Sequence, residues 1–309
     1  MKKIIILLIV LLLVAGCVKL SDIKGKIPGL SSTTTAGKKD FIGGTKGVTT
    51  QIISPAEGGK IYSSQPFNIA VKLNNEGEAQ ARGATCTFGS FLDCDCQEFT
   101  LEGKRKMEGE SLEGEWKTLT FEKGMIVKEE EGPASFFVTA ETRYNYKTYG
   151  IIKACVKKDV DSKEGCQISP EKNMIKSASS APIIISEVKQ EIIPEAEETV
   201  KLIFNIKIKN EGKGDVYLMD REKAQCGASD TSPQERKTIN VKMINAPGKA
   251  ICKTAELRED KTKKLTKYET TTSCEVTGVQ APSETYEPEI TLELEYAYET
   301  IDSNKFEVA

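Results

Sequence analysis

Histidine is absent from the 309 residues of the sequence, and aromatic residues make up only 6% of it. The usual general base near neutral pH, the usual base of a serine or cysteine triad and the commonest zinc ligand are therefore missing. Carboxylates alone can support catalysis, but the sequence contains no motif for it, and few aromatic side chains are available to line a ligand cleft. The sequence predicts a non-enzymatic protein without a cofactor.

An excess of positive charge is also missing. The chain has 43 basic and 46 acidic residues, and no basic patch of the kind that binds nucleic acid. We therefore expect no nucleic-acid partner.

Long hydrophobic runs are limited to the amino end. Lys2 and Lys3 precede an apolar run of 11 residues, Ile4–Val14, which is shorter than the about 20 residues needed to span a bilayer. A charged start, a short apolar run and small residues are typical of a secretory signal peptide. An ordinary cleavage site with a chance cysteine and an uncleaved short anchor are the alternatives.

The sequence Val14-Ala15-Gly16-Cys17 resembles the lipobox of prokaryotic lipoproteins. This resemblance implies a lipoprotein signal peptide over residues 1–16 and a lipid on Cys17, which would hold the protein at the extracellular face of the cytoplasmic membrane. Residues 17–50 are rich in Ser, Thr, Gly and Lys and show no periodicity, so they are predicted to form a flexible tether.

An internal repeat predicts the architecture. Apolar residues alternate over residues 67–73 and again over 202–208, and both segments end in Asn-Glu-Gly at an offset of 135. Alternation with period two indicates a half-buried strand, and Asn-Glu-Gly supplies the turn after it. Residues 138–146 and 290–298 form a second matching pair at an offset of 152, and residues 116–121 match 236–241 weakly.

The repeat predicts an all-β protein with two tandem immunoglobulin-like antiparallel β-sandwiches, at residues 51–176 and 180–309. An alternating strand that leads into Asn-Glu-Gly is similar to the start of CARDB-type modules, which are adhesion-related and repeated in prokaryotic surface proteins. The resemblance covers the first strands of each copy and implies a shared fold. The many cysteines and the longer hairpins depart from that module.

Cysteine is plentiful for an exported chain, and disulfides are the default interpretation. Two pairs each close a predicted hairpin, namely Cys155 with Cys166 and Cys252 with Cys274. Cys86 is expected to meet Cys94 or Cys96, which leaves one of those two and Cys226 to bridge the copies or to stay reduced. The disulfide candidates are Cys86, Cys94, Cys96, Cys155, Cys166, Cys226, Cys252 and Cys274.

Other chemistry at these positions is weakly indicated. Cys86, Cys94 and Cys96 could form a thiolate metal site, but the Cys-x-Cys gap is tighter than structural zinc sites prefer, and Cys-x-x-Cys redox motifs are absent. No metal site is predicted. The four tyrosines of the second matching pair could form an aromatic platform, although strand packing is favoured. Trp116 is the best candidate for a surface anchor.

The function predicted from the sequence is that of a membrane-anchored extracellular lipoprotein. It would act as a non-catalytic binding, adhesion or structural module, with its lipid in the membrane and a protein or envelope component as partner. The alternative is a surface lipoprotein that binds a ligand such as a carbohydrate, or an enzyme.

Overall fold

The computed structural model describes residues 41–309 except for residues 57, 90–91, 108, 126–133, 170, 196–197, 218–236, 260–267 and 283. The predicted signal peptide, Cys17, Cys226 and most of the predicted tether lie outside the described residues. Every regular element within the described ranges is a β-strand, which confirms the all-β prediction.

The strands fall into two groups along the chain. The first group is β1 (Val48–Ser54), β2 (Lys60–Ile61), β3 (Pro66–Asn75), β4 (Ala81–Gly89), β5 (Leu92–Leu101), β6 (Arg105–Met107), β7 (Glu110–Leu112), β8 (Trp116–Met125), β9 (Ala134–Lys153) and β10 (Ile175–Ala178). The second group is β11 (Ile183–Pro194), β12 (Thr199–Asn210), β13 (Asp215–Tyr217), β14 (Thr238–Ile244), β15 (Lys249–Cys252), β16 (Ala255–Glu256), β17 (Arg258–Glu259), β18 (Tyr268–Gln280) and β19 (Glu289–Val308).

These strands form three larger sheets and the small hairpin β6–β7. Strands β1, β3 and β8 form a first cover sheet, and β11, β12, β18 and β15, with β17 beside β18, form a second cover sheet. The central sheet has the order β16-β14-β19-β9-β4-β5, with β2, β10 and β13 added beside its long strands. The first cover sheet comes entirely from the first copy, whereas the central sheet takes strands from both copies.

Buried and more exposed residues alternate along β3 and β12, which explains why the repeat is detectable in the sequence. Ile69, Val71 and Leu73 are buried on β3, as are Phe204 and Ile206 on β12, while the residues between them are more exposed. Each cover sheet therefore has an apolar face, which it buries against the central sheet.

Both cover sheets pack on the same face of the central sheet. Tyr146 and Thr148 lie two residues apart on β9 and so point to that one face. The Tyr146 hydroxyl donates to Asn75 Oδ1 of the first cover sheet at 2.9 Å, and Thr148 Oγ1 donates to the Ile183 carbonyl of the second at 2.6 Å. A single hydrophobic cluster includes buried residues from all three sheets.

Beyond the β-sandwich fold predicted from the sequence, the structure shows that the two copies share the central sheet. Strands β9 and β19, each 20 residues long, pair antiparallel along their whole length, from Ala134 opposite Val308 to Lys153 opposite Glu289. Residues 40–309 accordingly form one compact unit. The physical reason is that each long strand provides the other with the partner that its free edge would otherwise lack.

The β9–β19 pairing relates the two copies by an approximate twofold axis. Tyr144 lies opposite Tyr298, and Tyr146 lies opposite Tyr296, so each tyrosine faces the counterpart of its neighbour. Asn145 lies opposite Ala297, its own counterpart at the offset of 152, and this rung marks the axis. The arrangement is that of a symmetric dimer interface built within one chain.

The Asn-Glu-Gly turn has the same contacts in both copies. Asn75 Oδ1 accepts hydrogen bonds from the Gly77 amide and the Tyr146 hydroxyl, and Asn210 Oδ1 accepts them from the Gly212 amide and the Tyr298 hydroxyl. A Cβ atom added to either glycine would lie 2.1 Å from the tyrosine hydroxyl oxygen. Glycine is therefore required at both turns because the tyrosine of the long strand approaches the backbone closely.

Charge distinguishes the two long strands on the face away from the cover sheets. Strand β9 carries Arg143 and Lys147, and β19 carries glutamates. Arg143 Nε lies 2.6 Å from Glu299 Oε2, and Lys147 Nζ lies 2.7 Å from Glu295 Oε1 and 3.1 Å from Glu293 Oε1. The glutamate side chains are largely buried, so these pairs are shielded from solvent better than ordinary surface pairs.

We expect Lys147→Glu to lower the free energy of unfolding by about 2–4 kcal/mol, because it removes the cation shared by buried Glu293 and Glu295 and places a third negative charge beside them. Urea unfolding at neutral pH measures this. Lys158→Glu is the matched control, since Lys158 lies 3.5 Å from Glu198 with both side chains exposed, and it should change stability by only about 0.5 kcal/mol. If both variants lost the same free energy of unfolding, the ion pairs between β9 and β19 would contribute no more to stability than an exposed surface pair.

Candidate functional site

The cysteines form both disulfides that the sequence predicted as hairpin closures. Cys155 is bonded to Cys166, and Cys252 is bonded to Cys274 across the β15–β18 pair. Closure of loops of this size stabilises a fold by about 3 kcal/mol in the chain-entropy model. These four cysteines therefore have a structural role.

The remaining described cysteines lie together on the β4–β5 hairpin. Cys86 lies directly opposite Cys96, which is disulfide-bonded, whereas Cys86 and Cys94 are free thiols. The predicted disulfide from Cys86 to Cys94 or Cys96 is therefore not formed, although Cys94 lies near enough to Cys86 to raise its pKa. No group of three or more potential metal ligands occurs among the described residues, and the metal interpretation gains no support.

The four tyrosines are buried at the centre of the molecule, in agreement with the packing interpretation. Tyr144 and Tyr146 contact each other edge to face with ring centroids 5.5 Å apart, and Tyr296 and Tyr298 do the same at 6.3 Å. Burial raises the pKa of Tyr298 to about 12 and also raises those of the other three tyrosines. These rings support the fold and offer no platform to a ligand.

Glu293 and Glu295 form a pair of neighbouring carboxylates, both bound to Lys147, that no motif in the sequence indicates. Burial raises the pKa of Glu295, but hydrogen bonds from Lys147 and Lys242 lower it by more, to about 2. A carboxyl group with this pKa is ionised at neutral pH and cannot act there as a general acid. Its chemistry is that of an ion-pair partner within the central sheet.

Trp116, the single tryptophan, is 64% exposed at the start of β8. It lies opposite Asn74 of β3, which lies opposite Thr49 of β1, on the outer face of the first cover sheet. The Nζ atom of Lys72 lies 5.6 Å from the centre of the indole ring. Tryptophan is enriched among the residues that anchor protein interfaces, so Trp116 is the candidate contact residue of this face.

A groove of about 420 Å³ lies at the opposite end of the first cover sheet. Its lining includes Lys60, Tyr62, Gln65 and Asn68. Asn68 and Asn74 are six residues apart on β3, which places the groove roughly 20 Å from the Trp116 position. The groove and the exposed tryptophan are therefore separate features.

Comparisons with known proteins do not assign the chain to a family. No protein-family description matches the sequence, and no similar protein is found among curated proteins.

Within the described ranges, no helix has the length and apolar character needed to cross a membrane.

The depressed pKa of Glu295 predicts a loss of stability in acid. The unfolded chain has a glutamate pKa of about 4.3, so below that pH the unfolded state takes up the proton first and the folded state loses stability until the pH reaches about 2. One such group changes the free energy of unfolding by at most about 1.4 kcal/mol per pH unit. Urea unfolding measured between about pH 5 and pH 2 gives the free energy of unfolding as a function of pH. It should fall less steeply with decreasing pH for Glu295→Gln than for the wild type. Equal steepness in the two proteins would contradict the depressed pKa of Glu295.

Proposed function

We propose that the protein is a lipid-anchored, non-catalytic surface module that binds a protein or envelope component through the outer face of the first cover sheet. The observation that carries this proposal is the exposed Trp116 on a regular sheet face. The lipobox resemblance at Val14–Cys17 supports the anchor, and the segment of residues 17–50 would lift the module away from the lipid head groups.

The shared central sheet suits such a module. Because β9 and β19 pair over their full length, the first and second cover sheets lie on one continuous support. A binding surface on that support is held in a fixed orientation relative to the second copy. Because it is already ordered before binding, less conformational entropy is lost when a partner binds. The Trp116 ring would supply the apolar anchor, and the neighbouring Asn74, Lys72 and Thr49 would supply polar contacts at its edge.

A second candidate function is the binding of a small polar ligand, such as a carbohydrate, in the groove beside Tyr62. The groove combines an aromatic ring with amide and ammonium groups, which is the combination that polar ligands require. The tyrosine is 62% exposed, close to the value for Trp116, so the two aromatic residues can be compared directly.

Replacement of Cys17 tests the anchor. Intact mass of the detergent-extracted wild-type protein should show the loss of residues 1–16 and a gain of lipid mass, and Cys17→Ser should abolish both, so that its mass is that of the full chain without lipid. Cys94→Ser is the matched control, since it removes a cysteine without touching the lipobox. A wild-type mass equal to that of the full chain without lipid would overturn the anchor proposal.

Binding to isolated cell envelopes of the producing organism tests the surface. We expect Trp116→Ala to weaken binding by at least ~10-fold, the effect of losing about 1.4 kcal/mol at an aromatic anchor, with unchanged thermal unfolding. Tyr62→Ala should leave binding unchanged. The reverse result would favour the groove, and full binding by both variants would contradict both candidates.

A further inference from the structure

Two free thiols and a disulfide sulfur share one face of the β4–β5 hairpin. Cys86 is opposite Cys96, and Cys94 lies two residues from Cys96, so a regular pleat already directs the three side chains to the same side. Cys96 is bonded, while Cys86 and Cys94 remain reduced beside it. The hairpin therefore holds two reduced thiols beside a disulfide sulfur.

An irregularity in the hairpin lies beside Cys94. Thr87 is paired with Asp95 and Gly89 with Leu92, so two steps along β4 correspond to three along β5. The extra residue on β5 makes a bulge in the part of the strand that contains Cys94. Side chains diagonally placed in a regular pair are roughly 7 Å apart, and a bulge re-aims a side chain. Cys94 therefore lies on the same side of the hairpin as Cys86, near enough to raise the pKa of the Cys86 thiol.

The two thiols differ in their surroundings. Cys94 is exposed, whereas Cys86 is half-buried and pairs with Glu141 of β9. Burial, the neighbouring Cys94 and Glu141 raise the pKa of Cys86 to about 12, and Arg143 of β9 opposes this rise. An oxidant in solution can reach the exposed Cys94 sulfur first. Partial burial and the raised pKa make the Cys86 sulfur the less accessible and less nucleophilic of the two.

We propose that Cys86 and Cys94 form a thiol–disulfide exchange site that reacts with a disulfide-bearing oxidant, with Cys94 as the attacking sulfur and Cys86 as the resolving sulfur. This inference rests on the hairpin alone and does not depend on the proposed surface binding or on the lipid anchor.

The reaction balances in two displacement steps. The Cys94 thiolate attacks one sulfur of the oxidant, forms a mixed disulfide and releases the other half of the oxidant as a thiolate. The Cys86 sulfur then attacks Cys94, the Cys86–Cys94 bond forms, and the second half of the oxidant leaves as a thiolate. The protein loses two electrons and two protons, and the oxidant takes up both as two thiols.

Oxidised glutathione added to the full-length protein is the probe, with alkylation and peptide mass spectrometry as the measurement. The wild type should lose two alkylatable thiols and yield a Cys86–Cys94 cross-linked peptide. Cys86→Ser should stop at a glutathione adduct on Cys94. Cys94→Ser should react at least ~10-fold more slowly at Cys86, because a thiol with a pKa near 12 has about a thousandfold less thiolate, only partly offset by its greater nucleophilicity.

Denaturant provides the control, since in the unfolded chain Cys86 and Cys94 should react at similar rates if the fold sets their order. Thermal unfolding of each serine variant establishes that it is folded. The proposal is overturned if the wild-type thiols both stay alkylatable in excess oxidised glutathione, if Cys86→Ser forms no stable adduct, or if the new bond links Cys86 to Cys96.

Discussion

The antiparallel pairing of β9 with β19 is the constraint on which the rest of the structure depends. It places the paired tyrosines at the centre of the core and gives both cover sheets one surface on which to pack. Each long strand would otherwise carry an unpaired edge, which is a site for unwanted association. Within one chain the duplication supplies its own partner, so the edge is closed without a second molecule.

Charge makes this pairing specific for the two different copies. If β9 paired with a second β9 about the same axis, Arg143 would lie opposite Lys147, and a β19 pair would place Glu295 opposite Glu299. Like charges directly opposite each other destabilise a sheet, whereas the observed pairing sets Arg143 against Glu299 and Lys147 against Glu295. Divergence of the copies has therefore produced both an attractive and a repulsive element, the combination that specific association requires.

Local pattern was enough to predict the strands, the repeat and two disulfides, because alternation and cysteine spacing report on residues that are close in sequence. The same pattern cannot say which strand lies at which edge. Alternation fixes the buried face of β9 and β19 but carries no information on their lateral partner, so the shared sheet was missed. The weak match between residues 116–121 and 236–241 failed for this reason, since β8 belongs to the first cover sheet and β14 to the central sheet.

The candidate sites were predictable only as residue types. A single tryptophan in a strand is usually buried, and its exposure followed from which face of β8 the central sheet covers. The placement of Cys86 and Cys94 on one side of the β4–β5 hairpin follows from the strand register and its bulge, which cysteine spacing does not report. Both features belong to the first copy. A third difference between the copies is Glu78, whose carboxylate accepts hydrogen bonds from the amides of Gly43 and Ser180, because the equivalent residue of the second copy is Lys213.

This distribution separates the roles of the two copies. The second copy supplies the acidic long strand that pairs with the first copy's Arg143 and Lys147, and the first copy carries the exposed tryptophan and the hairpin with two free thiols. Strands β9 and β19 close each other's edge, and neither the outer face that carries Trp116 nor the exposed Cys94 position takes part in that pairing. The β9–β19 ladder is thus what leaves the outer faces of the first copy available for contacts with other molecules.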